Sequence, residues 1–345
     1  MRLRTFAFVV ACSTACANAQ NTAAQNGSDT PKIDDVRYQL GVLAHDSLMG
    51  RRTGTPGSLG AARFIAAQLE SFGIEPAGDD GFFQFVPLQR VVTESGRERF
   101  QFLPDLASLD EGGDDKVLER NVVGVIRGTD PELRDQVVIV GAHFDHVGVR
   151  NPVEGDSVYN GADDDASGVV ATLEIARALS QSPPRRTVVF LLSTGEEVGL
   201  LGTRWYIDHP FAPMEETVAD LQIEMIGRPD SLAGGAGNAW LTGYERSTMG
   251  DMLKNAGNRI VPDPRPDQNF FERSDNIAFA VLGIPAHTLS SFGLHADYHQ
   301  PSDEVEMVDF DHMTSVIEMA IGAVRLLADS DDPPAWHPGG RPERR

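Results

Sequence analysis

Short, largely apolar runs alternate with amphipathic stretches through most of the chain. Residues 122–126, 137–140, 188–192, 221–225 and 284–289 are brief and often β-branched, which suits strands buried on both faces. Between them, residues 166–179, 200–207 and 246–256 repeat apolar side chains at helical spacing, and residues 310–327 form a long final helix. An earlier helix over residues 58–72, with Leu59, Ala62, Phe64, Ile65 and Leu69 on one face, stops at Gly73. Residues 104–116, acidic and glycine-containing, predict an exposed loop. Alternating strands and helices predict an α/β fold, a three-layer α/β/α sandwich around a mixed, mostly parallel central sheet. Ligands of such sheets gather beyond the carboxyl ends of the strands.

The two ends of the chain have another character. Met1-Arg-Leu-Arg carries two positive charges before a short apolar stretch, and Ala17-Asn18-Ala19 supplies small residues for cleavage before Gln20. This predicts a signal peptide over residues 1–19 and an exported protein, periplasmic or extracellular. The apolar stretch is too short to span a membrane. Val9-Val10-Ala11-Cys12 and Ser13-Thr14-Ala15-Cys16 also fit the small-residue-then-Cys pattern of bacterial lipoprotein signals, so a lipid anchor is an open alternative. Residues 20–30 are polar and read as a flexible linker, and residues 329–345, rich in Asp, Pro and Arg, read as a disordered tail.

Composition narrows the chemistry. Both cysteines lie in the leader, so a chain cut after Ala19 has no disulfide, thiolate ligand or cysteine nucleophile. The formal charge of −22, from 29 Lys and Arg against 51 Asp and Glu, argues against a nucleic-acid partner, which calls for clustered basic side chains.

Oxygen and nitrogen ligands remain. His143, Asp164, Glu196, Glu197, Glu224 and His299 stand where apolar runs break into Gly-rich or polar turns. A two-metal hydrolase needs such groups, with one carboxylate bridging cations about 3.5–4 Å apart. In Gly141-Ala-His-Phe-Asp-His146 the side chains at i and i+2 of an extended chain face the same way, so Asp145 can orient the His143 imidazole. Asp164 is the candidate bridge within Gly161-Ala-Asp-Asp-Asp-Ala-Ser-Gly168, where three successive carboxylates repel one another, while Asp163 and Asp165 also suit helix capping. Adjacent Glu196 and Glu197 can divide the labour, one holding metal and the other serving as acid and base. Glu224 interrupts an apolar run, where a carboxylate is costly unless metal-bound or paired, Arg228 being the alternative partner. His295 and His299 compete for the last ligand position, His287 reads as a core histidine, and Tyr298 is either a donor to a developing oxyanion or only a wall of the site.

In order, His-x-Asp, Gly-Ala-Asp-Asp-Asp-Ala-Ser-Gly, Gly-Glu-Glu-x-Gly-Leu-x-Gly, an acid in an apolar strand, and Tyr-His-x-Pro-Ser-Asp resemble the M28 family of zinc aminopeptidases and carboxypeptidases over residues 121–303. The resemblance implies a zinc-dependent exopeptidase acting on peptide or aminoacyl substrates, with two Zn2+ per chain. One zinc would be held by His143, Asp164 and Glu224, the other by Asp164, Glu197 and His299. Glu196 would be the general base, Asp145 the partner of His143, Tyr298 a polarising group, and the Asp164–Asp165 peptide cis. Two departures stand out: Glu224 occupies a position where Asp is common, and residues 88–121 are too few for the protease-associated insertion of some relatives. A single catalytic domain over residues 31–328 follows. Aminopeptidase action is the leading expectation. A carboxypeptidase and a one-zinc glutaminyl cyclase are the alternatives, and a receptor that has lost its ligands is disfavoured because every ligand position is filled.

Overall fold

The computed structural model describes residues 30–343 apart from Gly112 and Asp114. The leader expected over residues 1–19, with both cysteines, and nearly all of the expected linker lie outside the described residues. Strands run Glu75–Pro76 (β1), Phe83–Val92 (β2), Glu98–Phe102 (β3), Lys116–Ile126 (β4), Val137–His143 (β5), Gly148–Val153 (β6), Asp156–Tyr159 (β7), Thr187–Ser193 (β8), Thr217–Glu224 (β9), Ala239–Leu241 (β10), Ile260–Pro262 (β11) and Ala286–Ser290 (β12). A ten-stranded sheet follows the order β11-β10-β12-β9-β5-β8-β4-β2-β3, with β1 on β4, while β6 and β7 form a separate hairpin.

Parallel pairing is concentrated at the centre. β12, β9, β5 and β8 run the same way, whereas β4, β2 and β3 continue antiparallel on one side and β10 opposes β12 on the other. β5 and β8 are buried at every position, as their Val-rich runs predict. Alternation along these strands divides the core in two. Val138, Val140, Val188 and Phe190 face one apolar cluster, and Val137, Ile139, Val189 and Leu191 face the other. The first cluster is covered by helices Ile33–Leu43 (α1), Pro56–Ser71 (α2), Gly168–Gln181 (α3) and Phe310–Asp329 (α7); Leu201–Asp208 (α4) and Asn276–Ala280 (α6) flank the second. The result is the expected α/β/α sandwich around a mixed sheet, but not a mostly parallel one: parallel pairing is confined to β12-β9-β5-β8 and to β11 on β10, and the remaining pairings are antiparallel.

Local signals account for the helix limits. Thr55 caps α2, its hydroxyl accepting from Ser58 N at 3.4 Å, Pro56 opens the helix, and Gly73 with φ +74° ends it. The helix expected over residues 246–256 is shorter, Met249–Asn255 (α5). Residues 88–121 are filled by the β2–β3 hairpin, a 3-10 turn at Leu106–Glu111 and the return into β4. No helix of the described residues is long and apolar enough to cross a membrane.

The C-terminal segment corrects its expectation of disorder. Trp336 packs with Phe271 and His287, and its indole N–H donates to Gly283 O at 2.8 Å. Ala335 N donates to Thr248 Oγ1 at 2.9 Å, and His337 N to Arg246 O at 2.9 Å. Trp336 and these backbone hydrogen bonds together seat the segment beside α5 and α6.

Candidate metal centre

Parallel pairing of β12, β9, β5 and β8 brings their carboxyl ends to one edge of the sheet. His143 is the last residue of β5 and Glu224 the last of β9. Glu196 and Glu197 lie in the turn after β8, and His299 in the loop after β12. Asp164 comes from the turn leading into α3, and its peptide bond to Asp165 is cis, as the resemblance implied.

These side chains converge around the Asp164 carboxylate. Its Oδ1 lies 3.4 Å from His143 Nε2, and its Oδ2 lies 3.0 Å from His299 Nε2. Glu224 Oε1 and Glu196 Oε2 stand 3.8 and 3.9 Å from the same His143 nitrogen, while Glu197 Oε1 is 2.9 Å from His299 Nε2. The two oxygens of one carboxylate thus face two different sets of groups. His146, given no role by the sequence, joins the second set: its Nδ1 is 3.0 Å from Glu197 Oε1 and 3.7 Å from Asp164 Oδ2.

The donor set fits metal ions. Asp164 Oδ2, Glu197 Oε1 and both His146 nitrogens are buried with no hydrogen-bond partner, although His146 Nδ1 stands 3.0 Å from the Glu197 oxygen and 3.7 Å from that of Asp164. Imidazole nitrogen and carboxylate oxygen are ligands of choice for zinc, and a cation would satisfy the two carboxylate oxygens and the Nδ1 of His146.

The neighbours of Asp164 hold backbone. Asp163 Oδ1 accepts from Gly227 N at 2.7 Å and its Oδ2 meets His295 Nε2 at 2.9 Å, so His295 is engaged with Asp163 while His299 stands beside Asp164. Asp165 Oδ1 accepts from Met225 N at 3.0 Å and Gly168 N at 3.1 Å. Asp303, from the Tyr-His-x-Pro-Ser-Asp string, accepts from the Asp163 and Asp164 amides at 3.1 Å. Arg228 pairs with Asp297 and Asp303, leaving Ser274 as the hydrogen-bond donor to Glu224. His287 is a core histidine, bonded to Ser247 Oγ and Thr242 O, and burial pushes it down to about 4.

Asp145 departs from its expected contact. His143 Nδ1 meets the Asp145 backbone carbonyl at 3.1 Å, and the carboxylate stands 3.8 Å away. That carboxylate is already engaged, accepting from Thr53 Oγ1 and Glu196 N, each at 3.0 Å. Arg51, unnoticed in the sequence, is fully buried beneath the site and donates to the carbonyls of Leu43, Phe144, Asn160 and Gly161.

Charge crowding shifts the titrations. Burial holds Glu224 up at about 7 and Glu196 well above the usual carboxylate range. Burial and Asp164 oppose ionisation of Glu197, yet the His146 and His299 imidazoles hold it down at about 2. Burial likewise opposes protonation of His299, but Asp164 and Glu197 keep it at about 9. A small cleft opens over these groups, its walls including Met225, Trp240, Phe270, Arg273, Phe292 and Tyr298. Tyr298 stacks on the His299 ring, with centroids 4.0 Å apart.

Comparison with known proteins follows the same lines. The model of peptidase family M28 matches residues 121–324. A probable leucine aminopeptidase 2 of Aspergillus oryzae is 33% identical over 171 residues, 48% of this chain and 32% of the relative, so the chain spans about a third of that curated relative's length. An aminopeptidase from Aneurinibacillus sp. strain AM-1 superposes with a TM-score of 0.63 at 17% identity, covering 90% of this chain and 99% of the other. The glutaminyl cyclase of Porphyromonas gingivalis gives 0.59 at 18% identity, over 85% of this chain and 97% of that one. At such identities the structural likeness is one of fold.

Proposed function

The chain belongs to peptidase family M28, and on that premise we propose that it is a zinc-dependent exopeptidase, an aminopeptidase removing N-terminal residues from peptide or aminoacyl substrates. One observation carries this: the Asp164 oxygens face two sets of imidazole and carboxylate groups with Glu196 beside them. His143, Asp164 and Glu224 would hold one zinc, and Asp164, Glu197 and His299 the other. Bound zinc would supply Lewis acidity toward the scissile carbonyl and make water acidic enough to ionise near neutral pH.

The side chains supply the rest. Glu196 takes the proton of the attacking water and returns it to the departing amine as the C–N bond breaks. Tyr298 directs its phenol toward the carbonyl oxygen as charge builds there. Asp145 fixes the backbone of Glu196 and, through its own carbonyl, the ring of His143. The apolar and aromatic cleft walls suit an apolar N-terminal side chain, in keeping with the name of the fungal relative. We place the catalytic domain at residues 31–328 and, from the leader pattern, assign the protein to export.

The glutaminyl cyclase likeness makes ring closure the second reading. Two sets of ligand groups, rather than one, favour the peptidase. Glu196→Gln tests the assignment: turnover should fall by a factor of about 100 or more with zinc content unchanged. A variant retaining activity within about tenfold would remove Glu196 from the role of base.

A further inference from the structure

We infer that His146 is a metal ligand, completing with Asp164, Glu197 and His299 a four-ligand site beside the three-ligand site of His143, Asp164 and Glu224. This rests on the metalloenzyme reading above and adds to it a residue that neither the sequence motifs nor the resemblance assigned.

The geometry is that of ligands around one point. His146, Asp164, Glu197 and His299 each offer one ligand atom, and these atoms all lie within 4.8 Å of one another. Four of the separations among these atoms are 2.9, 3.0, 3.0 and 3.7 Å. Atoms about 2.0–2.1 Å from one tetrahedral cation stand about 3.3 Å apart, in the middle of that range. Hydrogen bonding would give similar distances, but its angles are missing: both His146 nitrogens, Asp164 Oδ2 and Glu197 Oε1 are buried without a partner. A buried imidazole at 1% exposure whose Nδ1 faces two carboxylate oxygens without a hydrogen bond is costly, and a cation there would satisfy that nitrogen.

The ring is also held in place. A Cβ at Gly161 would come within 2.6 Å of His146 Cγ and Cδ2, so this glycine, at φ +56°, permits the ring to lie against the backbone. On another side the His299 ring meets it edge-on, with centroids 5.4 Å apart. The His146 amide reaches Arg51 O at 3.4 Å.

Four protein ligands make a closed site and three leave an open one. The site with His146 would then hold its zinc the more tightly, and the site of His143, Asp164 and Glu224 would hold the more exchangeable one. A chelator should strip the full-length zinc-loaded protein in two phases.

The test combines a variant with a measurement on unaltered protein. In competition with a chromophoric chelator, His146→Ala and His146→Gln should weaken the tighter zinc at least about tenfold and the other by less than about twofold. Melting of the metal-free variants checks that they fold. In crystals of the zinc-loaded wild type, anomalous scattering should place zinc about 2.1 Å from His146 Nδ1. Zinc more than about 3 Å from that nitrogen, or variants with both affinities unchanged, overturns the assignment while leaving the peptidase reading intact. A wild type that binds no zinc overturns the peptidase reading itself.

Discussion

The Asp145 carboxylate accepts a hydrogen bond from the backbone N–H of Glu196 at 3.0 Å. The same residue meets His143 Nδ1 through its backbone carbonyl, so Asp145 sets the turn after β8, with Glu196, relative to His143. Asp145→Ala is expected to lower kcat by about 10–100-fold with KM changed less than about threefold and zinc retained. Steady-state kinetics with metal analysis checks this, and a wild-type kcat would contradict it.

Tyr298 offers a cleaner separation of packing from chemistry. Tyr298→Phe keeps the ring stacked on His299 and removes only the hydroxyl. If the phenol steadies the oxyanion, kcat should fall by about 100-fold with KM little altered. Unchanged kcat would make Tyr298 a wall of the cleft.

Arg51 predicts a structural effect reaching the site. Its guanidinium engages four backbone carbonyls, and its charge lies among Asp164, Asp145, Asp303 and Asp165, which oppose the burial that lowers its pKa. Arg51→Met strands those groups and should cost about 3 kcal/mol or more in urea unfolding. Arg51→Lys, lacking the planar fork, should recover only part of it.

Stability of the metal-free protein should fall as pH rises. Burial holds Glu224, Asp145 and Asp303 at about 7, above the ordinary 4.5 and 3.8 of these side chains. Between about pH 4 and about pH 7 the folded state keeps protons that the unfolded chain has lost, so the contribution of these groups is full below that window and shrinks across it. His299, at about 9 against an ordinary 6.5, loses its contribution over the next interval upward. Glu197, held at about 2, acts oppositely but only in acid, losing its contribution as pH falls below the ordinary 4.5. Calorimetry of chelator-treated protein should give a Tm that declines from about pH 5 to about pH 9, with a gap to the zinc-loaded protein that widens, since deprotonated ligands bind metal better. A Tm rising with pH after chelation would contradict this.

Much of this was legible because the sheet centre is buried on both faces. Apolar runs such as that of Val188 and Leu192 announce strands without help, and carboxylates or imidazoles just past their ends stand out against them. Residues that act across long separations were hidden. Arg51 binds carbonyls as far along the chain as Gly161, and Asp303 grips amides some 140 residues earlier. His146 lay inside a motif already singled out, yet beyond the end of β5 the alternation of faces no longer says where a side chain points. Trp336, set among prolines in a short segment, gave no period to read.

Metal analysis of the purified protein, run beside a leucine amide and a peptide with N-terminal glutamine, tests the central claim most directly. Two zinc ions per chain, release of leucine and no ring-closed product are the expected result. One zinc per chain with cyclisation of the glutamine, and the leucine amide left intact, would contradict it.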